Sequence, residues 1–365
     1  MSKKIKTMIA AGGTGGHVFP GCSLADHLIK NNYEVEIITD KRGHFFLEKF
    51  KNYRINILPS TPIIQKNILS FIISIFFLAY SILRCFIFLL FKRPRIIFGM
   101  GGYSSFPVCL AAKILNIKFI IYENNLIIGK ANKYLLPFAT KLLVAYKEIE
   151  GIDEKYKYKI REIGNIIREN IINYPKENYI SRNIEKLNIL IIGGSQAAKI
   201  FAEVLPKIFK ECNDNIIPIK IYQQCLPEQT DNLKSFYEGA KIDFETFNFS
   251  PNLQKFFSKI DLALTRSGAS MQAELVNANI PFITIPLPSS ADNHQFKNAS
   301  FYENKKFCFL IEEKDLKQKL KPLINLINKN NSLLLEIRNN QRQYSDKKVY
   351  KNITKEMEIT FNEKN

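Results

Sequence analysis

Short apolar runs broken by glycine recur along the chain, and two of them end alike. Met8-Ile9-Ala10 passes into Ala11-Gly12-Gly13-Thr14-Gly15-Gly16-His17, and the run 187–192 passes into Gly193-Gly194-Ser195-Gln196 about half a chain length later. An apolar strand, a glycine turn and a helical stretch make the first unit of a doubly wound α/β sheet, where free amides and a helix N-terminus form an anion site. Glycine suits such a turn because it adopts positive φ and lets another molecule approach the backbone. Further apolar runs predict strands at 34–39, 53–58, 95–98 and 119–122, then at 220–222, 261–265 and 281–285. They alternate with helical stretches, as parallel sheets require. The pattern predicts two α/β domains in tandem with a cleft between them.

The string Arg161-Glu162-Ile163-Gly164-Asn165 leads out of the first half and sets the expected division: a first domain over 1–163, a second over 164–340 and a tail over 341–365. From about residue 333 the chain is polar with a helical pattern, and it either packs back on the first domain or frays.

Residues 68–91, ILSFIISIFFLAYSILRCFIFLLF, match a transmembrane helix in length. They lie between two strands expected in one parallel sheet, 53–58 and 95–98, and so serve as a crossover. A span would leave those strands on opposite sides of a bilayer. Ser70, Ser74, Ser81 and Arg84 fall in one polar stripe on a helix. The apolar remainder is wider than a sheet can cover. This predicts a helix packed on the first domain with its outer side in a membrane interface, helped by Lys92, Arg93 and Arg95. Hydropathy alone keeps a true span as the alternative.

With 365 residues, 46% hydrophobic and 24% charged, the chain has the composition of a folded protein of two domains. Its net charge of +18 asks for an acidic partner: nucleic acid, an anionic membrane or a phosphorylated substrate. The absence of zinc-finger, RNP1 and basic-zipper patterns argues against nucleic acid. Enrichment in Asn, Ile and Lys along the whole chain accounts for part of the charge. Six scattered cysteines without a C-x-x-C pair point to reduced, packing thiols, and the start MSKKIKTMIAAGG is too short an apolar stretch for a signal sequence. A cytoplasmic protein is expected.

The glycine loop at 12–17 lacks the spacing of G-x-G-x-x-G, and no Gly-Lys-Ser/Thr follows it. Asp40, after the run 34–39, imitates a ribose-binding acid and keeps a nicotinamide oxidoreductase open, beside a membrane-bound scaffold without chemistry. Seven strings decide between these: GGTGGHVFPG at 12–21, GMGGYSSFP at 99–107, YENNLIIGKANK at 122–133, GNIIR at 164–168, GGSQAA at 193–198, RSGASMQAE at 266–274 and DNHQFKNA at 292–299. In these strings and their order, over residues 5 to 312, the chain closely resembles glycosyltransferase family 28. The resemblance is to the bacterial enzymes of this family that add N-acetylglucosamine (GlcNAc) to lipid I to give lipid II; a GT-B enzyme acting on another glycolipid is the alternative, and the strings at 99–107 and 122–133 argue against it because acceptor choice resides there.

The resemblance implies a GT-B fold, two Rossmann-like doubly wound parallel-sheet domains facing across a cleft. The first domain would take the acceptor and associate with the membrane; the second would take UDP-GlcNAc. Glu274 would accept both ribose hydroxyls of the uridine. Ser195, the amides around Gly194 and the guanidinium of Arg168 would hold the diphosphate. Gln295 and His294 would read the GlcNAc hydroxyls, with Ser270 nearby, and Phe249 and Ser250 would meet the uracil. In the first domain His17 would deprotonate the acceptor's 4-hydroxyl, its place at a helix N-terminus keeping it neutral. Glu123 is the rival base or orients the acceptor sugar.

Gly13, Thr14, Gly15 and Gly16 would receive the lipid diphosphate, the last three also meeting the donor together with Asn125. Gly102 and Tyr103 would line the acceptor side. No D-x-D pair occurs, so neither metal nor cofactor is implied, and the leaving group's charge would fall on Ser195, Arg168 and a helix N-terminus. The expected partners are UDP-GlcNAc, lipid I, the cytoplasmic face of an anionic membrane and other cell-wall synthesis proteins. The expected location is peripheral, on the cytoplasmic side of the inner membrane.

Some positions depart from the family pattern. Ile166 stands where proline is usual, Ala197 where glycine is, Met271 where threonine is common, and Ile221 to Cys225 lack the usual His-Gln-Ser/Thr-Gly turn. Each site residue also has a plainer reading. His17 would be a capping histidine, Glu274 a first-turn acid on a helix dipole, and His27 and His44 surface residues.

Overall fold

The computed structural model describes residues 4–48, 53–62, 67–176, 186–215, 217–248, 250 and 252–363, with backbone alone at 195–198. The first part of the chain runs β1 (Lys6–Ala10), α1 (Gly15–Lys30), β2 (Glu34–Thr39), α2 (Lys41–Leu47), β3 (Arg54–Ile57), α3 (Ile68–Lys92), β4 (Ile96–Gly99), α4 (Gly102–Ile114), β5 (Phe119–Glu123), α5 (Lys130–Leu135), β6 (Lys141–Val144) and β7 (Ile160–Glu162). After α6 (Glu169–Ile172) come β8 (Leu187–Ile192), α7 (Gly194–Asp214), β9 (Ile219–Gln224), α8 (Thr230–Gly239), β10 (Asp243–Phe247), α9 (Gln254–Phe257), β11 (Leu262–Arg266), α10 (Ala269–Asn277), β12 (Phe282–Ile285), α11 (His294–Asn304) and β13 (Phe309–Leu310). Three helices close the chain: α12 (Leu316–Lys329), α13 (Ser332–Arg342) and α14 (Val349–Asn362). The expected strands are present, each within a residue or two of its apolar run.

Contacts gather the chain into two compact units, Met1–Arg168 with Asp346–Asn365, and Glu169–Ser345. The division falls later than the expected 163/164 because the string Gly164 to Arg168 is bonded into the first unit. Asn165 N donates to Asp346 Oδ1 at 2.8 Å, Ile166 N to the Tyr122 hydroxyl at 3.0 Å, and the Tyr350 hydroxyl to Ile167 O at 2.6 Å. The tail itself splits: residues 341–345 stay with the second unit, while α14 packs on the first. There Lys141 Nζ lies 2.9 Å from Glu356 Oε2, and the His27 ring stacks on Tyr350 with centroids 4.6 Å apart. His27 is therefore a half-buried contact for α14, not a plain surface residue.

In the first unit the strands are all parallel in the order β3-β2-β1-β4-β5-β6-β7. Ala10 pairs with Ile38 on one side and Gly99 on the other, and Gly99 pairs with Ile121. The loops after β1, β2, β4 and β5 thus leave the sheet side by side at its carboxyl edge, the usual ligand edge of such sheets. The second unit is parallel in the order β10-β9-β8-β11-β12-β13. Thr265 pairs with Ile192 and Arg266 with Ile285, so the turns after β8, β11 and β12 also share one edge. Strands such as Ile96–Gly99 are buried at every residue, which is why they read as unbroken apolar runs. All six cysteines are free and buried, and burial pushes the Cys22 and Cys85 thiols up to about 12, far from reactivity.

Helix α3 turns the usual amphipathic rule around. A capping box starts it: Asn67 Oδ1 accepts from Ser70 N at 2.8 Å, and Ser70 Oγ accepts from Asn67 N at 3.1 Å. The buried side, packed on α4, consists of Ser74, Ser81, Cys85 and Leu89, while Ile68 is 80%, Phe76 73% and Phe91 81% exposed. Ser74 and Ser81 donate to the carbonyls of Ser70 and Phe77, so no hydroxyl is stranded against the protein. Arg84 was expected on the same stripe, but it is exposed. The contact line advances in steps of seven and four to Cys85 and Leu89 and leaves Arg84 beside it.

At about 1.5 Å per residue, against about 3.3 Å in a strand, α3 is roughly two to three times as long as the strands beside it. As a crossover it runs antiparallel to them and ends at their amino edge. Its last turn is pinned there by Lys92 Nζ, 3.2 Å from buried Glu36 Oε2. The opposite end, from Ile68, therefore reaches past the carboxyl edge from which the glycine loop emerges. With β3 and β4 in one sheet, this helix does not carry the chain across a bilayer.

Candidate active site

In the first unit α1 begins at Gly15, one residue after Thr14, and His17 stands in its first turn. The imidazole is half-buried, and its Nδ1 lies 2.9 Å from the carbonyl oxygen of Met100 at the end of β4. A carbonyl only accepts, so Nδ1 carries the proton and the lone pair of the neutral ring sits on Nε2. The ring lies against the backbone of Gly101 and Gly102, whose φ values are +90° and +72°. A Cβ on Gly102 would sit 2.9 Å from Cδ2 and 3.1 Å from Nε2 of His17. Gly102→Ala therefore pays twice, in backbone strain of about 1–2 kcal/mol and in displacement of the imidazole. Its expected result is a lower unfolding midpoint in urea together with a loss of turnover larger than the stability change explains.

Glu123 ends β5 and is buried, and four donors converge on it. Oε1 accepts from Asn125 N at 3.1 Å and Asn125 Nδ2 at 2.9 Å; Oε2 accepts from Gly129 N at 2.9 Å and Asn132 Nδ2 at 3.0 Å. These four donors hold the carboxylate in one orientation. It organises the loop 124–129, from which Asn124 Nδ2 reaches Gly16 O at the start of α1. Glu123 thus shapes the loop beside the start of α1, where His17 stands.

Asp40 is not a ribose ligand. It is buried, and its carboxylate accepts from Gly13 N, Gly43 N and the Tyr103 hydroxyl at 2.8, 2.9 and 2.7 Å. This removes the basis for a nicotinamide enzyme. The Gly13 amide and the Tyr103 hydroxyl, both expected on the acceptor side, donate to Asp40. Gly15 and Gly16 stay at the first helical positions of α1, where backbone amides have no acceptor within the helix.

In the second unit Gly193 and Gly194 (φ +68°) turn the chain from β8 into α7, and the side chain of Ser195 lies outside what is described. Across β11, Arg266 is buried beneath the turn: its guanidinium donates to Ile285 O at 3.3 Å and Pro286 O at 3.1 Å, pairs with Glu313 and covers the Phe201 ring of α7 at 4.9 Å. Ser267 Oγ is 2.7 Å from Thr284 Oγ1. Arg266 and Ser267 thus hold α7, β12 and the turn Ser267-Gly268 in fixed relation. The sequence reading assigned neither a role; a charged residue closing an otherwise apolar strand was the available signal.

Glu274 is 6% exposed and is the sixth residue of α10, beyond the first turn, so the plain dipole reading does not apply to it. Ser270 lies in that first turn. The loop after β12 braces itself: Gln295 Oε1 accepts from Leu287 N at 3.0 Å, and His294 Nδ1 donates to Ala291 O at 2.7 Å. This orients the Gln295 amide with its NH2 as the donor side. Ser250 Oγ donates to Asn252 O at 2.9 Å. Phe249 lies outside the described residues, and Arg168 is the half-buried last residue of the first unit. Among the described residues no group of three or more His, Cys, Asp or Glu is placed to hold a metal ion.

Comparison with known proteins shows the family. The glycosyltransferase family 28 N-terminal domain matches residues 7–144 and the family's C-terminal domain residues 188–355. A Pelagibacter ubique protein is 36% identical over 365 residues, all of both chains. A Rickettsia felis protein is 35% identical over 333 residues, 88% of this chain and 91% of its own. Both are named UDP-N-acetylglucosamine–N-acetylmuramyl-(pentapeptide) pyrophosphoryl-undecaprenol N-acetylglucosamine transferase. The crystal structure of Acinetobacter baumannii MurG superposes with a TM-score of 0.76 at 24% identity, covering 98% of this chain and 100% of that one, which shows a shared fold.

Proposed function

The chain belongs to glycosyltransferase family 28, and we infer that it transfers GlcNAc from UDP-GlcNAc to the 4-hydroxyl of the muramoyl sugar of lipid I, giving lipid II. One observation carries the mechanism: an imidazole whose Nδ1–H is spent on Met100 O and whose Nε2 holds the lone pair, in the first turn of a helix that opens with a glycine loop. Nε2 takes the proton of the acceptor hydroxyl as that oxygen bonds to the anomeric carbon. The bond from that carbon to the β-phosphate oxygen breaks, and its electron pair leaves with UDP. Attack opposite the leaving group inverts the centre and gives a β linkage without a covalent enzyme intermediate. The amide-lined start of α7 and Arg168 receive the charge on UDP. Glu274 holds the ribose diol, and Gln295 reads the GlcNAc.

The test supplies labelled UDP-GlcNAc and a short-chain lipid I analogue, separately and together. Labelled lipid and free UDP are expected only from the complete mixture. UDP release without acceptor, or no labelled lipid at all, would reject the reading.

The acceptor is lipid-borne, and α3 supports a peripheral site on an anionic membrane. Its exposed face is apolar apart from Arg84, its start overhangs the edge that carries His17, and Lys92, Arg93 and Arg95 stand at its other end. Ile73 and Phe76 are 59% and 73% exposed. Replacing both by Ser removes about 1.5–3 kcal/mol of burial in lipid per residue and leaves the core untouched. The expected result in sedimentation with phosphatidylglycerol vesicles is a drop in bound fraction at unchanged thermal stability.

A further inference from the structure

We propose that Asp40 is a positioning residue for acceptor use, tying the loops after β1, β2 and β4 into one rigid support for the acceptor diphosphate. The inference rests on the transferase reading above. Asp40 sits immediately after β2 as the N-cap of α2, and its side chain ties that local turn to two segments distant in sequence. Oδ1 accepts the Gly13 amide at 2.8 Å and the Gly43 amide at 2.9 Å, while Oδ2 accepts the Tyr103 hydroxyl at 2.7 Å. The carboxylate is 3% exposed, and burial together with its charge pushes the Tyr103 hydroxyl up to about 12, keeping it a donor. A buried carboxylate with three donors has little capacity left for a substrate. Its work is on the protein.

The fit around it is tight. A Cβ on Gly12 would meet Asp40 Oδ1 at 2.5 Å, and Gly13, at φ +76°, lies against the Tyr103 ring, 3.2 Å from where its own Cβ would be. The turn is thereby held from two sides just before Thr14, Gly15 and Gly16, the residues offered to phosphate. The same β4 loop supplies Met100 O, which orients His17, so the anion-binding amides and the base hang from a common scaffold. Without Asp40 the Gly13 and Gly43 amides lose a charged acceptor, and the turn can rotate its next amides away from the ligand.

The experiment compares wild type, Asp40→Ala, Asp40→Asn, Tyr103→Phe and the Asn/Phe double variant in steady-state transfer to the lipid I analogue, with UDP binding measured calorimetrically. For Asp40→Ala, kcat/KM for the acceptor is expected to fall on the order of tenfold or more, with UDP affinity unchanged. Asp40→Asn keeps an oxygen for the two amides and is expected to recover part of the loss. Tyr103→Phe should show a smaller effect on the same parameter, and the double variant should be no worse than Asp40→Asn alone, because the two side chains act through one contact. Should Asp40→Ala not fold, the Asn and Phe variants decide. A fall in kcat with both KM values unchanged would mean only less active enzyme and would overturn the proposal, as would wild-type acceptor kinetics in Asp40→Asn and Tyr103→Phe. Failure of the transferase reading is distinct, since it would appear as no transfer by the wild type.

Discussion

His17→Ala is expected to lower kcat for GlcNAc transfer by on the order of 10²–10⁴-fold with little change in UDP affinity. The size follows from the role, since a sugar hydroxyl is a weak nucleophile until a positioned base takes its proton. The imidazole also makes a structural contact, because Nδ1–H donates to Met100 O across 2.9 Å. Alanine removes both functions, so it does not separate base from brace. His17→Asn does. Its amide NH2 reaches about as far from the backbone as Nδ1 and can keep the Met100 contact, while offering no basic nitrogen at the Nε2 position. If Asn is as slow as Ala, the lost function is proton acceptance. If Asn restores most of kcat, His17 only shapes the β4 loop and another group is the base; Glu123 would then be tested by Glu123→Gln.

Much of the architecture is legible in the chain because burial on both faces leaves little freedom of pattern. Ile96–Gly99 and Leu262–Leu264 have to read as apolar runs, and the glycine turns after Ala10 and Ile192 follow from backbone approach to anions. What is not legible is where a polar side chain finds its partner. Asp40 looks like a ribose acid from its place after a strand, yet its hydroxyl donor, Tyr103, lies 63 residues away. Asp346 holds the Asn165 amide from 181 residues away, and this contact draws the end of the chain into the first unit and moves the division past Gly164. The serines of α3 are readable as a stripe, but which neighbours complete the contact face depends on α4, which takes Cys85 and Leu89 and leaves Arg84 exposed. Periodicity reports burial; it is silent about hydrogen-bond geometry.

The departures from the family pattern fall mostly where the chain handles the donor, which gives the donor-side variant its weight. Glu274→Gln keeps the shape of the side chain on α10 and removes its charge. Two charge-assisted hydrogen bonds from a ribose diol, each worth about 1.5–3 kcal/mol, would weaken to neutral ones. The KM for UDP-GlcNAc is expected to rise on the order of 10²-fold, with kcat at saturating donor much less affected, the opposite split from His17. The origin of the loss is checked with 2′-deoxy-UDP-GlcNAc. Wild type should discriminate against it, and Glu274→Gln should hardly distinguish it from the natural donor, because the carboxylate that read the missing hydroxyl is gone. Equal discrimination by both enzymes would place Glu274 away from the ribose, as a buried acid serving only the helix that carries it.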